Sequence, residues 1–215
     1  MRRILYAAVA IFLLAGVVAA QDFPKVEVFG GYSIARLGFP DDITGALDLG
    51  ATLSNVETHR FLKKGFDASL TYNATSVFGI EADFRYNSGD ILSANFTVEG
   101  VSATGKAKIS DFAFMAGPRF AARKNEAVTP FAHALFGVDR GKLSGSGSAL
   151  GQTINVDAGS DTGFAMALGG GVDVKVHKNM AIRLIQADYY LTKHEGESWN
   201  NMALAFGVVF RFGGK

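Results

Sequence analysis

A two-residue alternation near the end of the sequence sets the strongest limit on the fold. Between residues 200 and 212, every even position from Met202 to Phe212 is large and apolar, whereas the odd positions are small or polar, apart from Val209. Successive side chains of a β-strand point to opposite faces, so this period predicts a strand with two unlike faces. The apolar face must lie against a protein core or against lipid.

The same alternation recurs along the chain and predicts eight strands. They cover residues 25–36, 65–74, 77–86, 108–121, 129–139, 161–176, 180–192 and 200–212. A change of parity in the seventh strand predicts a β-bulge near Leu184 and Ile185. Pro118 lacks a donor for the ladder, which predicts a bulge or an edge position in the fourth strand.

The connections between these strands alternate in length. Long loops are predicted over residues 37–64, 87–107 and 140–160 and a moderate one over 193–199, with an extension of the third strand over 91–98 as the alternative. Short turns are predicted over 74–76, 123–126 and 177–179. This asymmetry is typical of an antiparallel up-and-down transmembrane β-barrel, with short periplasmic turns and longer outer loops.

Two alternatives to this eight-stranded barrel follow from the pattern: a ten-stranded barrel, if the long loops add strands, and a soluble lipocalin-like barrel with an apolar interior. The polar face of the strands is mostly Gly, Ala and Ser. Eight strands leave an interior just wide enough for side chains. Small residues therefore fit inside, and the apolar face is predicted to meet lipid, with aromatic girdles formed by residues near the strand ends, such as Tyr32, Tyr189 and Phe210.

The N-terminus predicts export. Arg2 and Arg3 precede an apolar run over residues 4–18, and small residues lead to Gln21. These are the parts of a secretory signal peptide, which predicts a signal peptide over residues 1–20 and a barrel domain over 21–215. A membrane anchor is the alternative, but the run is shorter than the roughly 20 residues that a spanning helix needs.

Charged residues on the small-residue face are predicted to form pairs inside the barrel. Opposite charges fall at matching heights, which predicts the pairs Asp173 with Arg183, Glu81 with Arg119, Arg85 with Asp111, and Glu27 with Arg211 across the closing seam. A lumen filled by paired charges would be closed to solutes.

Three segments carry a resemblance to a known family. The opening residues 25–32, the run at 130–137 and the closing residues 207–212 resemble the small outer-membrane β-barrel family that includes OmpX and the transmembrane domain of OmpA. The resemblance implies residence in the outer membrane and insertion by the outer-membrane assembly machinery, which reads a C-terminal strand ending in an aromatic residue. This chain departs by adding three residues after Phe212, and it lacks the periplasmic peptidoglycan-binding domain of OmpA.

The sequence offers little for catalysis or for cofactors. The four histidines lie in different segments, and there is no cysteine, which excludes disulfides and thiolate metal sites. A net charge of +1 gives no indication of nucleic-acid binding. We therefore expect a monomeric non-enzyme without cofactor or metal, which uses its outer loops for adhesion, surface recognition or envelope integrity through an unknown extracellular partner. A narrow porin-like channel is the alternative.

Overall fold

The computed structural model describes residues 23–38, 52–98, 101–125, 127–194 and 197–214. The predicted signal peptide, residues 1–20, lies outside these ranges, as do residues 39–51 of the first predicted loop. Among the described residues, no helix combines the length and apolar character needed to cross a membrane.

Ten β-strands make up the described part of the chain. They are β1 (Val26–Arg36), β2 (Thr52–Thr58), β3 (Phe61–Leu62), β4 (Lys64–Asn73), β5 (Phe78–Val98), β6 (Val101–Ala121), β7 (Val128–Ala149), β8 (Gln152–His177), β9 (Met180–His194) and β10 (Glu197–Phe212). Eight of them, β1 and β4 to β10, form a closed antiparallel ring in which β10 pairs with β1. This confirms the eight-stranded barrel. β3 continues β4 alongside β1, and β2 pairs with the outer half of β5.

The seam between β1 and β10 is in continuous register. It runs from Val26 opposite Phe212 to Arg36 opposite Met202 without a shift, and Gly31 lies opposite Gly207 in the middle. A Cβ atom on Gly207 would collide with the backbone of Gly31 and its neighbour. Glycine at this position therefore lets the two ends of the barrel approach closely.

Most of the predicted outer loops are strands, so those loop predictions were wrong, whereas the alternative of a third strand extended over 91–98 is confirmed. The β5–β6 hairpin stays paired out to Val98 and Val101, and the β7–β8 hairpin is paired out to the turn at Leu150 and Gly151. The predicted loop over 193–199 also lies largely within β9 and β10. Apart from residues 91–98, these extensions show little apolar alternation, and long cross-strand pairing holds residues that have weak strand propensity.

Of the two irregularities predicted within the strands, one is present and the other is not. Val172 lies opposite Ile185 and Asp173 opposite Arg183, so Leu184 is the extra residue of a bulge, as predicted. The prediction for Pro118 was wrong, because β6 is an interior strand and its register with β7 is the same on either side of the proline. Pro118 has no paired residue on β7, so its missing backbone N–H does not force a bulge there.

The outer face of the ring is the apolar one. Phe114 is 57% exposed, and Tyr72 and Phe120 are similarly uncovered, as expected for side chains that meet lipid. Small and charged residues point inward and are buried. Val209 and Phe29, which break the alternation in their strands, also point inward and pack against Ala181 and Ala205.

Candidate functional site

The periplasmic end of the lumen is organised around Glu27 of β1. Arg211 Nε donates to Glu27 Oε1 at 2.9 Å across the seam between β1 and β10. Arg123 Nη2 donates to Glu27 Oε2 at 2.7 Å, and Asn73 Nδ2 donates to the same oxygen at 3.2 Å. Arg123 comes from the turn after β6 and was not predicted as a lumen residue, because a turn has no inward face that a period could reveal.

A second set of contacts centres on Asp173 of β8. Arg183 Nε, directly opposite on β9, donates to Asp173 Oδ1 at 2.8 Å. Arg119 Nη2 reaches Asp173 Oδ2 from across the lumen at 3.1 Å. Arg119 Nη1 also lies 3.6 Å from Glu81 Oε2, so the structure brings these two predicted residues together on neighbouring strands.

Two inward aromatic rings cover the guanidinium groups of this set. The Arg119 guanidinium lies 4.0 Å from the Phe131 ring centre, and that of Arg183 lies 4.3 Å from Phe131 and 4.1 Å from Phe29. A cation over an aromatic face is attracted by the ring quadrupole, more strongly when both are desolvated. This explains why Phe29 and Phe131 point inward against the alternation of their strands.

The predicted pair of Arg85 with Asp111 was wrong. Arg85 Nη2 instead binds Asp67 Oδ2 at 3.0 Å and Asp188 Oδ2 at 2.5 Å. The register explains the difference: Arg85 lies opposite Asp67 on β4, whereas on β6 it lies opposite Ala113, one inward position from Asp111. Asp188 reaches Arg85 from β9, across the lumen.

Two neutral or titratable side chains, Gln186 and His133, join the separate sets. Gln186 accepts a hydrogen bond from Arg183 Nη1 at 2.5 Å and donates to Asp188 Oδ2 at 2.9 Å. His133 lies between Asp188 Oδ1 at 2.9 Å and Glu81 Oε2 at 3.5 Å. Both residues occupy inward positions of their strands, which is the only sequence signal that could have indicated their role.

The outer rim of the lumen carries a further histidine between two carboxylates. His194 Nε2 lies 2.8 Å from Asp139 Oδ2, and its Nδ1 lies 2.9 Å from Asp161 Oδ2. These contacts join β7, β8 and β9 just above the part of the barrel that is closed on all sides.

The result is a barrel interior filled by linked charges. Among the largest fully buried side chains are Arg85, Arg119, Arg183 and Tyr190. The contacts form a chain from Glu27 at the periplasmic end to Asp67, which lies opposite Gly31 in the middle of β1. The described residues contain no group of His, Asp or Glu side chains arranged to hold a metal ion. Buried ions of this kind need their partners in place, so the arrangement favours one rigid packing of the lumen.

A closed ring of eight antiparallel strands with an apolar exterior and a charged interior defines a transmembrane β-barrel of the outer membrane. The chain belongs to the family of outer membrane protein β-barrel domains, whose model matches residues 5–212. Its location is the cell outer membrane. In barrels of this class the short turns lie at the periplasmic side.

Several solved structures are similar to this chain. Ail, the attachment invasion locus protein of Yersinia pestis, is 20% identical over 87% of this chain and 99% of Ail, with a TM-score of 0.48. OprG from Pseudomonas aeruginosa is 10% identical over 90% of this chain and 98% of OprG, with a TM-score of 0.47. Neisserial surface protein A is 12% identical over 89% of this chain and all of its own, with a TM-score of 0.46. No curated protein sequence matches the chain.

Proposed function

We propose that this outer-membrane protein is a surface-recognition protein with a closed lumen, which binds an extended peptide segment of an extracellular partner. The binding surface is the outer sheet, formed by β2 and the outer halves of β5 to β8. The observation that carries the proposal is the edge of this sheet at residues 152–163. There β8 pairs with β7 on one side, and within the described residues it has no strand on the other, since β9 joins it only from Phe164 onward.

An uncovered strand edge presents a row of free backbone donors and acceptors. A peptide that adds to it as a further strand gains main-chain hydrogen bonds, and its alternate side chains select the sequence. The edge at residues 152–163 is twelve residues long, longer than a typical strand. It therefore offers enough pairing for a specific complex.

The side chains beside this edge support the same interpretation. Ile154 is 69% exposed and Val156 is 57% exposed, and they lie opposite Gly147 and Gly145 of β7. Leu143, also exposed, is on the same face of β7 as these glycines. Exposed apolar side chains next to a surface of glycines form a shallow contact face, of the kind that marks interaction sites.

Charges on the edge limit pairing between copies of the chain. Asp157 and Asp161 both lie on the exposed edge, and Lys142 Nζ lies 2.6 Å from Asp157 Oδ2. Charged residues on a free edge disfavour unselective pairing. This supports a foreign peptide as the partner over a second copy, and a monomer as the resting state. We assign no catalytic step to the protein, because the linked charges of the lumen serve to close it.

The proposal is tested by selecting linear peptides from a random library on the full chain in detergent. We expect the selected peptides to share an alternating pattern and to lose most of their binding when Val156→Lys is introduced on the contact face. Lys106→Met, on the polar face of the outer sheet, is the matched control and should keep binding. Peptides that bind Val156→Lys as well as the wild type would refute the proposed surface.

A further inference from the structure

A cavity of about 370 Å³ lies at the periplasmic mouth of the barrel, away from the outer sheet. It is bounded by the turns after β6 and β8 and by the two ends of the described chain, at Phe23 and Gly214. Four cationic side chains line it: Arg123, Lys175, Lys178 and Arg211. Nothing in the closing of the lumen requires so many positive charges at this end.

One donor group of Arg211 has no hydrogen-bond acceptor among the described residues. Its side chain is 9% exposed, and its Nε is held by Glu27. Its Nη2 is buried and makes no hydrogen bond with any described residue, and it lies 3.8 Å from Asp173 Oδ2. A buried guanidinium with a free donor is costly unless a ligand or water accepts from it.

Arg123 also has a buried donor group without an acceptor among the described residues. Its Nη groups bind Glu27 and the carbonyl of Ser76, whereas its Nε is buried without a partner among the described residues. Burial lowers the pKa of Arg123, and the guanidinium groups of Arg119 and Arg211 lower it further, against the opposing effect of Glu27. The described lining of the cavity contains four cationic side chains and no carboxylate, so positive charge at this mouth exceeds what Glu27 neutralises.

The remaining cations leave the cavity open to a ligand. Lys175 and Lys178 are exposed, and neither forms an ion pair within the described ranges. Thr129, Asn125 and Asn179 add neutral polar groups to the wall. Guanidinium and ammonium donors around a small polar cavity match the several acceptor oxygens and the charge of a phosphate group.

We propose that this cavity is a binding site for a phosphate group at the periplasmic mouth of the barrel. The phosphate comes either from a soluble phosphate or phosphate ester in the periplasm, or from the headgroup of an anionic phospholipid in the periplasmic leaflet. Arg211 and Arg123 anchor the oxygens from inside, and Lys175 and Lys178 close over them from the rim. The site is independent of the peptide-binding surface proposed above.

The test uses the full chain refolded in a nonionic, phosphate-free detergent at constant ionic strength. Sodium phosphate is titrated while the amide NMR signals of residues 175–179 and 211–214 are followed. We expect saturable shifts with a dissociation constant of about 1 mM or tighter. Lys175→Gln/Lys178→Gln should weaken binding about tenfold. These two lysines are exposed and form no ion pair with another described residue, so the double variant should fold.

The matched control is Lys106→Gln/Lys108→Gln on the outer sheet, which removes the same charge and should leave phosphate binding unchanged. Nanodiscs of phosphatidylglycerol distinguish the sources: free phosphate that no longer shifts these amides indicates a bound headgroup, and shifts that persist indicate a soluble phosphate. Absence of saturable shifts in detergent, or equal binding by the Lys175→Gln/Lys178→Gln variant, would overturn the proposal.

Discussion

Arg85 is the residue whose loss should disturb the lumen most. It is 1% exposed, and its Nη2 lies 3.0 Å from Asp67 Oδ2 and 2.5 Å from Asp188 Oδ2. At an effective dielectric of about 20, the pair with Asp67 at 3.0 Å attracts by about 5.5 kcal/mol, and desolvation of the guanidinium offsets part of this. Among the described side chains, Arg85→Met would leave Asp67 with Gln186, at 3.5 Å, as its one hydrogen-bond donor.

We expect Arg85→Met to lower the free energy of unfolding by about 3–5 kcal/mol, the loss typical of removing one partner of a buried ion pair. The assay is urea titration of the chain in lipid vesicles, with the folded fraction read from heat-modifiable migration on a gel. The double variant Arg85→Met/Asp67→Asn removes the stranded charge and should recover part of the loss. A loss below about 1 kcal/mol for Arg85→Met, the value of an exposed pair, would refute the account of a buried, interdependent network.

Three further predictions concern the seam, the lipid face and the outer sheet. Gly207→Ala should destabilise the barrel by about 1–3 kcal/mol in the same assay, because a Cβ there meets the backbone of β1, whereas Gly147→Ala, with open space around it, should be nearly neutral. Phe114→Lys should cost about 2–4 kcal/mol of stability in vesicles, since it places a charge on the lipid face, and Gly147→Lys outside the membrane should not. The hydrogen bond from Lys142 lowers the pKa of Asp157, so an NMR titration should find that Asp157 loses its proton below the usual range for aspartate. Lys142→Gln should raise the pKa of Asp157. An unchanged pKa in this variant would contradict the contact.

The barrel itself could be predicted from the sequence because one face of each spanning strand meets lipid. The alternation from Met202 to Phe212 specifies which side chains face outward, and the parity change at Leu184 specifies a bulge. Pairs that face each other across one turn also follow from counting residues, as for Asp173 and Arg183. These features depend on local geometry, which the order of residues contains.

Contacts across the lumen could not be predicted in the same way. Arg85 binds Asp188 from a strand that is not its neighbour, so the contact exists only once the ring is closed. Apart from the extension over 91–98, the outer sheet was not predicted, because residues such as Gly145 and Ser146 form no apolar period. Arg123 was missed because it lies in a turn.

We hold that linked charges close the lumen, and conductance across a planar lipid bilayer tests this claim. We expect the purified full chain to insert without producing steady conductance steps. The double variant Arg85→Ala/Arg119→Ala removes two of the largest buried side chains from the lumen. Once inserted in the bilayer, this variant should conduct. Reproducible steps of uniform size from the wild-type protein would contradict the claim and would identify the barrel as a narrow channel.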